Sequence, residues 1–154
     1  MPFKYFAYGS NLDPEQMTRR CPGHRVIGAG FLPGHRLRFQ GEGEDWGGAV
    51  ATIVADPSDT VWGVVFELTD EDLRVLDGYE GCRGDDDPTS LYVRREFPVR
   101  LADGGSVNAI AYVMRRRPEG NPSKRYLGAI TRGARSHGLP TDYVDRLAAH
   151  PTAD

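Results

Sequence analysis

Tyr8-Gly9-Ser10-Asn11 is a stretch whose residue types could hold an anion. It leaves an aromatic run, Lys4-Tyr5-Phe6-Ala7-Tyr8, and enters a segment opened by Asp13-Pro14. A strand–turn–helix with Gly, Ser and Asn in the turn gathers several backbone N–H groups, and such a nest binds carboxylate or phosphate. Gly9 would let a ligand approach the main chain closely. By itself, a Gly/Ser/Asn turn after a strand is more often only a turn. The other chemistry-bearing side chains form weaker patterns. His24, His35, His137 and His150 show no i, i+4 pairing, so a metal site has little support. Gly28-x-Gly30 runs into Pro33-Gly34 instead of a helix and is no dinucleotide fingerprint. Neither a Gly-x-x-x-x-Gly-Lys phosphate loop nor a Gly-x-Ser-x-Gly elbow occurs. Cys82, beside Arg83, has no histidine neighbour or helix start and reads as a partly buried thiol.

The elements that must position these residues can be read from periodicity and punctuation. Residues 4–8 form a strand bounded by Gly9. Asp13 caps a helix with Pro14 at its first position, Gln16 completes a capping box, and Cys21-Pro22-Gly23 stops it. Residues 26–40 read as a bent strand interrupted at Pro33-Gly34, followed by a polar loop carrying Trp46. Residues 49–54 and 61–66 are apolar strands, and the turn residues Asp56-Pro57-Ser58-Asp59 predict a hairpin between them. Thr69, with Asp72 three residues on, caps a helix with Leu73 and Leu76 on its inner face, ending in Gly78-Tyr79-Glu80-Gly81. Residues 92–101 and 107–114 make a second hairpin across Asp103-Gly104-Gly105. Two helices follow, from Ser123 and from Pro140 or Thr141. Strands first and helices last predict an α+β fold, not a wound βαβ sheet.

The chain has 154 residues, 39% of them hydrophobic and 27% charged, which fits one globular domain over residues 1–154. Apolar runs are too short for a membrane helix. A start without a long apolar stretch, together with only two cysteines, leads to the expectation of a cytoplasmic protein. A net charge of −3 argues against a protein that coats nucleic acid. Charge is unevenly spread, however. Residues 111–150 hold eight basic and three acidic side chains, a local +5, so the remainder sums to −8. The 19 glycines and 11 prolines suit short strands joined by many turns.

Tyr5-Phe6-Ala7-Tyr8-Gly9-Ser10-Asn11-Leu12 resembles the signature of the γ-glutamylcyclotransferase family. The resemblance continues through Gly47-Gly48-Ala49-Val50-Ala51-Thr52-Ile53 and Val61-Trp62-Gly63-Val64-Val65. It resumes at Leu76-Asp77-Gly78-Tyr79-Glu80-Gly81 and ends with Pro122-Ser123-Lys124-Arg125-Tyr126 and Gly138-Leu139-Pro140. These blocks arrive in family order and span most of the chain. The resemblance implies the γ-glutamylcyclotransferase-like, or AIG2-like, fold: a small mixed, barrel-like twisted sheet with helices around it. It also implies a reaction, in which a γ-glutamyl amide cyclises to 5-oxoproline and releases an amine or amino acid. No cofactor or metal is needed, because the nucleophile is the substrate's own α-amino group.

Carried over residue by residue, the resemblance makes Glu80 the catalytic carboxylate, general base and then general acid. A free glutamate has a pKa near ~4.3, so burial beside Tyr79 and the apolar sheet is expected to raise it. Tyr5, Phe6, Ala7, Tyr8, Gly9, Ser10 and Asn11 are expected to hold the glutamyl group, their N–H groups facing its α-carboxylate. Tyr126 matches a family tyrosine that contacts substrate, although helical spacing alone equally allows a core aromatic beside Leu127 and Ile130. The substrate is thus a small γ-glutamyl compound, with no nucleic-acid or membrane partner and a homodimer expected by family analogy. Asp85-Asp86-Asp87 and Arg115-Arg116-Arg117 leave the leaving group open. The alternative is a non-catalytic γ-glutamyl- or carboxylate-binding module of the same fold.

Overall fold

The computed structural model describes residues 2–43, 45–84 and 86–154. The N-terminal aromatic run forms β1 (Phe3–Ala7), a 3₁₀ turn follows at Ser10–Leu12, and Asp13 caps α1 (Pro14–Arg20). Two long strands come next, β2 (Arg25–Gly43) and β3 (Gly48–Leu68), then α2 (Asp70–Tyr79). The hairpin of β4 (Tyr92–Leu101) and β5 (Ser106–Met114) precedes α3 (Lys124–Ser136) and α4 (Thr141–Ala148). The strands close into a barrel in the order β1-β3-β2-β4-β5. Tyr5 pairs in parallel with Ile110 of β5 to close the ring, while the remaining pairings are antiparallel. The sheet is therefore mixed and barrel-like, as expected.

One expectation is corrected. Residues 49–54 and 61–66 do not fold back on each other but form a single strand, β3, and both halves pair with β2. Its register on β2 jumps from His35↔Ala55 to Pro33↔Thr60. The two breaks seen separately in the sequence, Pro33-Gly34 and Asp56-Pro57-Ser58-Asp59, thus face each other as one irregular corner. Gly34 takes a φ of 75°, and the Asp56 carboxylate accepts from the Ser58 backbone N–H at 2.9 Å, so the extra residues bulge out. A bulge of this kind bends a strand and lets a small sheet curl shut.

Close backbone approach sets two more joints. Gly63 of β3 faces β1, where a Cβ would lie 2.1 Å from the Ala7 carbonyl oxygen. Gly133 of α3 faces the 3₁₀ turn, where a Cβ would lie 2.2 Å from the Leu12 carbonyl carbon. The fully buried core includes Phe6, Phe66, Leu12, Met17, Leu76 and Ile130, so it ties β1, β3, α1, α2, the turn and α3 together. The mouth of the barrel where β1 ends is thereby built from rigid pieces.

Candidate active site

Five of the chain's seven tyrosines meet at one end of the barrel. Tyr5, Tyr8, Tyr92, Tyr112 and Tyr126 line a small pocket of about 30 Å³ together with Gly9, Ser10, Asn11, Ala51 and Glu80. A wider groove of about 840 Å³, lined in part by Arg38, Arg116 and Glu119, lies elsewhere and contains none of these residues.

Glu80 reaches the pocket from the end of α2. Thr69 starts that helix with a complete capping box: its hydroxyl accepts from the Asp72 N–H at 3.0 Å, and Asp72 accepts in return from the Thr69 N–H at 3.4 Å. Leu73 and Leu76 bury the inner face. The Glu80 N–H donates to the Leu76 carbonyl at 2.9 Å, and Gly81 then adopts a φ of 62°. That left-handed step suits glycine and ends the helix at Glu80. The Glu80 residue is half-buried, and its carboxyl group is desolvated strongly enough to push its pKa up to about 7. Burial is the main cause; the Arg20 charge and a hydrogen bond from Asn11 pull the other way, and the Asp77 charge pushes up.

The expected contribution of Tyr79 to that burial is corrected. Tyr79 is 57% exposed, and its ring lies 4.5 Å beneath the Arg20 guanidinium. It points outward because it occupies the solvent side of α2, where Glu80, one residue on, turns inward. Glu80 instead lines the pocket walled by Tyr5, Tyr8, Tyr92, Tyr112 and Tyr126.

The turn supplies the opposite wall. Asn11, 3% exposed, donates through Nδ2 to the Glu80 carboxylate at 3.1 Å and to the Tyr5 hydroxyl at 2.9 Å. A 3₁₀ turn leaves its first N–H groups without intrahelical partners, and Gly9 precedes it with no side-chain cap. A Cβ on Gly9 would lie 3.4 Å from both the Tyr126 hydroxyl and the Ala51 methyl, so glycine keeps this corner open. Gln16 does not complete a capping box for α1. Its Nε2 donates instead to Ser10 Oγ at 2.8 Å and to Asn11 Oδ1 at 3.0 Å, because its side chain faces the buried turn.

Tyr126 is both core and pocket wall. Its hydroxyl oxygen accepts from the Ala51 N–H at 2.8 Å, and its ring packs edge-on against Trp46 and Phe39. Among the described residues no acceptor is paired with its hydroxyl hydrogen, which is left for the pocket. Tyr92 donates to the Ala51 carbonyl at 2.5 Å, Tyr112 donates to Asp77 at 2.6 Å, and Tyr8 donates to the Tyr112 carbonyl. Burial holds Tyr5, Tyr8, Tyr92, Tyr112 and Tyr126 above the ordinary tyrosine range, so these hydroxyls keep their protons.

The structure thus brings together Tyr5, Tyr8, Gly9, Ser10, Asn11, Glu80 and Tyr126. It does not bring Phe6 and Ala7 to the pocket. Alternation turns Phe6, fully buried, to the other face of β1 against Gly63, and Ala7, also fully buried, does not line the pocket. Ala51, Tyr92 and Tyr112 line the pocket without having been singled out in the sequence. For the two tyrosines the signal was chemical: a tyrosine at a buried strand position needs a partner for its hydroxyl. Asp85 lies outside the described residues. Asp87 accepts from the Thr89 N–H through its carboxylate at 2.8 Å, and Arg115 donates to the Asp87 carbonyl at 3.1 Å, so these loops meet each other, and none of the three residues lines the pocket. Among the described residues, no group of three or more His, Cys, Asp or Glu is placed to hold a metal ion. Nor is any described helix long and apolar enough to cross a membrane.

The sequence and the fold of this chain have known counterparts. Residues 60–147 match the AIG2-like family. Over 151 residues the chain is 35% identical to the gamma-glutamylcyclotransferases of Homo sapiens and Mus musculus, covering 96% of this chain and 78% of each of those proteins. A solved structure of a gamma-glutamyl cyclotransferase superposes with a TM-score of 0.92 at 32% identity, covering 100% of this chain and 90% of that one. The chain therefore belongs to the AIG2-like family, among its γ-glutamylcyclotransferases.

Proposed function

We propose that this pocket converts a γ-glutamyl amide to 5-oxoproline and releases the amine or amino acid. The observation that carries this reading is the Glu80 carboxylate, desolvated to a pKa of about 7 and held by Asn11 beside a tyrosine-lined cavity. Glu80 takes a proton from the substrate's α-ammonium group, and the freed amine attacks the γ-carbonyl carbon. The new ring C–N bond forms and the amide C–N bond breaks, while two protons pass from the attacking to the departing nitrogen: Glu80 relays the one taken from the ammonium and then the one the ring nitrogen sheds on becoming an amide, so the amine leaves as its ammonium ion. A carboxylate that titrates near neutrality suits both halves of this cycle.

The remaining residues position and stabilise. The N–H groups opening the turn at Gly9, Ser10 and Asn11 face the glutamyl α-carboxylate or the developing γ-oxyanion. Tyr126 offers its hydroxyl hydrogen, and Tyr5 and Tyr8 wall the glutamyl side chain. Phe6 and Ala7 act through the scaffold, fixing β1 against β3. The nucleophile comes from the substrate, so no step calls on a cofactor. The family match and the names of the relatives support the γ-glutamyl half of the substrate.

The test is to incubate the protein with γ-glutamyl-alanine and a panel of γ-glutamyl amino acids and amines, and to measure 5-oxoproline. Release from at least one substrate is expected. No product from a broad panel at high enzyme concentration would sink the proposal.

A further inference from the structure

Asn11 uses all four of its side-chain hydrogen-bonding positions. Nδ2 donates to Tyr5 and Glu80, while Oδ1 accepts from Gln16 Nε2 at 3.0 Å and from Arg20 Nη1 at 3.1 Å. A carboxamide turned end for end keeps its shape, so the polarity of its partners decides which end faces Glu80. Gln16 cannot decide this alone, since its own amide can turn as well. The Tyr5 hydroxyl can donate or accept. Arg20 has no such freedom, because a guanidinium carries five N–H donors and no acceptor. Whatever atom of Asn11 faces Arg20 must be the oxygen, and the N–H pair is then left for Glu80 and Tyr5.

We propose that Arg20 is a positioning residue for this reaction, fixing the orientation of the Asn11 amide so that an N–H meets Glu80. The inference rests on the reading of Glu80 as the base. α1 places Gln16 and Arg20 on one face, an i, i+4 pair directed at the turn. Gln16 is 3% exposed and locks Ser10 into the same array. Arg20 is itself held by its seat over the Tyr79 ring. With Arg20 removed, Asn11 can present its oxygen to Glu80, where it repels the carboxylate and favours the protonated, inactive base.

The charged groups that reach Glu80 are Arg20 from α1 and Asp77 from its own helix, the latter 3.5 Å from Arg94 of β4. Around them stand the neutral hydroxyls of Tyr5, Tyr8, Tyr92, Tyr112 and Tyr126, and the Cys21 thiol, whose pKa burial pushes up to about 12. Loss of Arg20 therefore removes both a cation and the anchored N–H, and both losses raise the Glu80 midpoint.

Two readouts on Arg20→Met and Arg20→Lys test this. The first is a ¹³C NMR titration of the Glu80 carboxyl without substrate, assigned by its absence in Glu80→Gln. The second is 5-oxoproline release across pH. In Arg20→Met the midpoint should rise above the wild-type value of about 7, and kcat should fall roughly 10-fold or more with KM changed by less than about twofold. Arg20→Lys, which keeps a charged donor, should restore the midpoint. An unchanged midpoint and kcat in Arg20→Met overturn the proposal, and so does lost stability with an unmoved midpoint. Gln16→Leu decides the matter if Arg20→Met does not fold. With Arg20 intact, its midpoint should stay near the wild-type value, and an upward shift there overturns the proposal. An inactive wild type would instead sink the functional reading and leave the NMR result to judge Arg20.

Discussion

Replacing Glu80 with glutamine should make the protein more stable at alkaline pH while ending its chemistry. In the folded chain the Glu80 pKa lies near 7, well above the ordinary glutamate range, chiefly because burial disfavours the charged form. The fold therefore binds the Glu80 proton more tightly than the unfolded chain does. Below about pH 4.5 both states are protonated and Glu80 imposes no penalty. As pH rises towards 7 the unfolded state ionises first, and wild-type stability falls by up to about 3 kcal/mol at ~1.4 kcal/mol per pH unit. Glutamine resembles the protonated carboxyl and carries no such penalty. Its advantage should be near zero at pH 4.5 and reach its full value above pH 7. For a domain of this size that corresponds to a Tm higher by roughly 6–12 °C at pH 8. Calorimetric unfolding of both proteins from pH 4.5 to 8.5 measures it. Parallel stability profiles for the two proteins would refute the claim that Glu80 is held desolvated.

Other perturbations probe neighbouring parts of the site. If Glu80 is the base, kcat/KM should fall as pH drops through about 7, because a protonated carboxyl cannot accept the substrate's proton; a pH–rate profile checks this. Tyr126→Phe leaves the buried Ala51 N–H without its acceptor and should cost about 1–3 kcal/mol by denaturant unfolding, with a raised KM. Thr69→Ala removes half of the capping box on the helix that carries Glu80 and should cost about 1 kcal/mol by the same measurement. Gly133→Ala drives a methyl group into the Leu12 carbonyl and should cost at least about 1–3 kcal/mol in unfolding assays, lowering kcat as the turn is displaced.

Local features were the most legible in the sequence. The Thr69 and Ser123 caps, the β4–β5 hairpin and the end of α2 at Glu80 follow from residue types within a few positions of each other. The signature around Tyr8-Gly9-Ser10-Asn11 and the Leu76–Gly81 block pointed to both walls of the pocket, which lie about 70 residues apart and meet through the Asn11–Glu80 hydrogen bond. What could not be read was long-range pairing. The turn residues 56–59 are equally suited to a hairpin or a bulge, and only the matching break in β2 decides between them. Tyr92 and Tyr112 escaped notice because their direction depends on barrel closure, which places β5 beside β1. Gln16 fits a capping box by spacing, yet the buried turn offers it stronger partners in Ser10 and Asn11. Phe6 and Ala7 belong to the same signature as Tyr5, but neither lines the pocket, and Phe6 packs against Gly63 instead.

The central claim is that Glu80 moves the protons in a cyclisation whose other residues position the substrate and stabilise its developing charge. Its most direct test is 5-oxoproline release by Glu80→Gln, measured with calorimetric binding of 5-oxoproline to the same protein. The account predicts that binding survives, since shape and hydrogen-bonding partners are kept, while kcat falls by about 10²-fold or more. A Glu80→Gln protein that binds 5-oxoproline and turns over at the wild-type rate would contradict it.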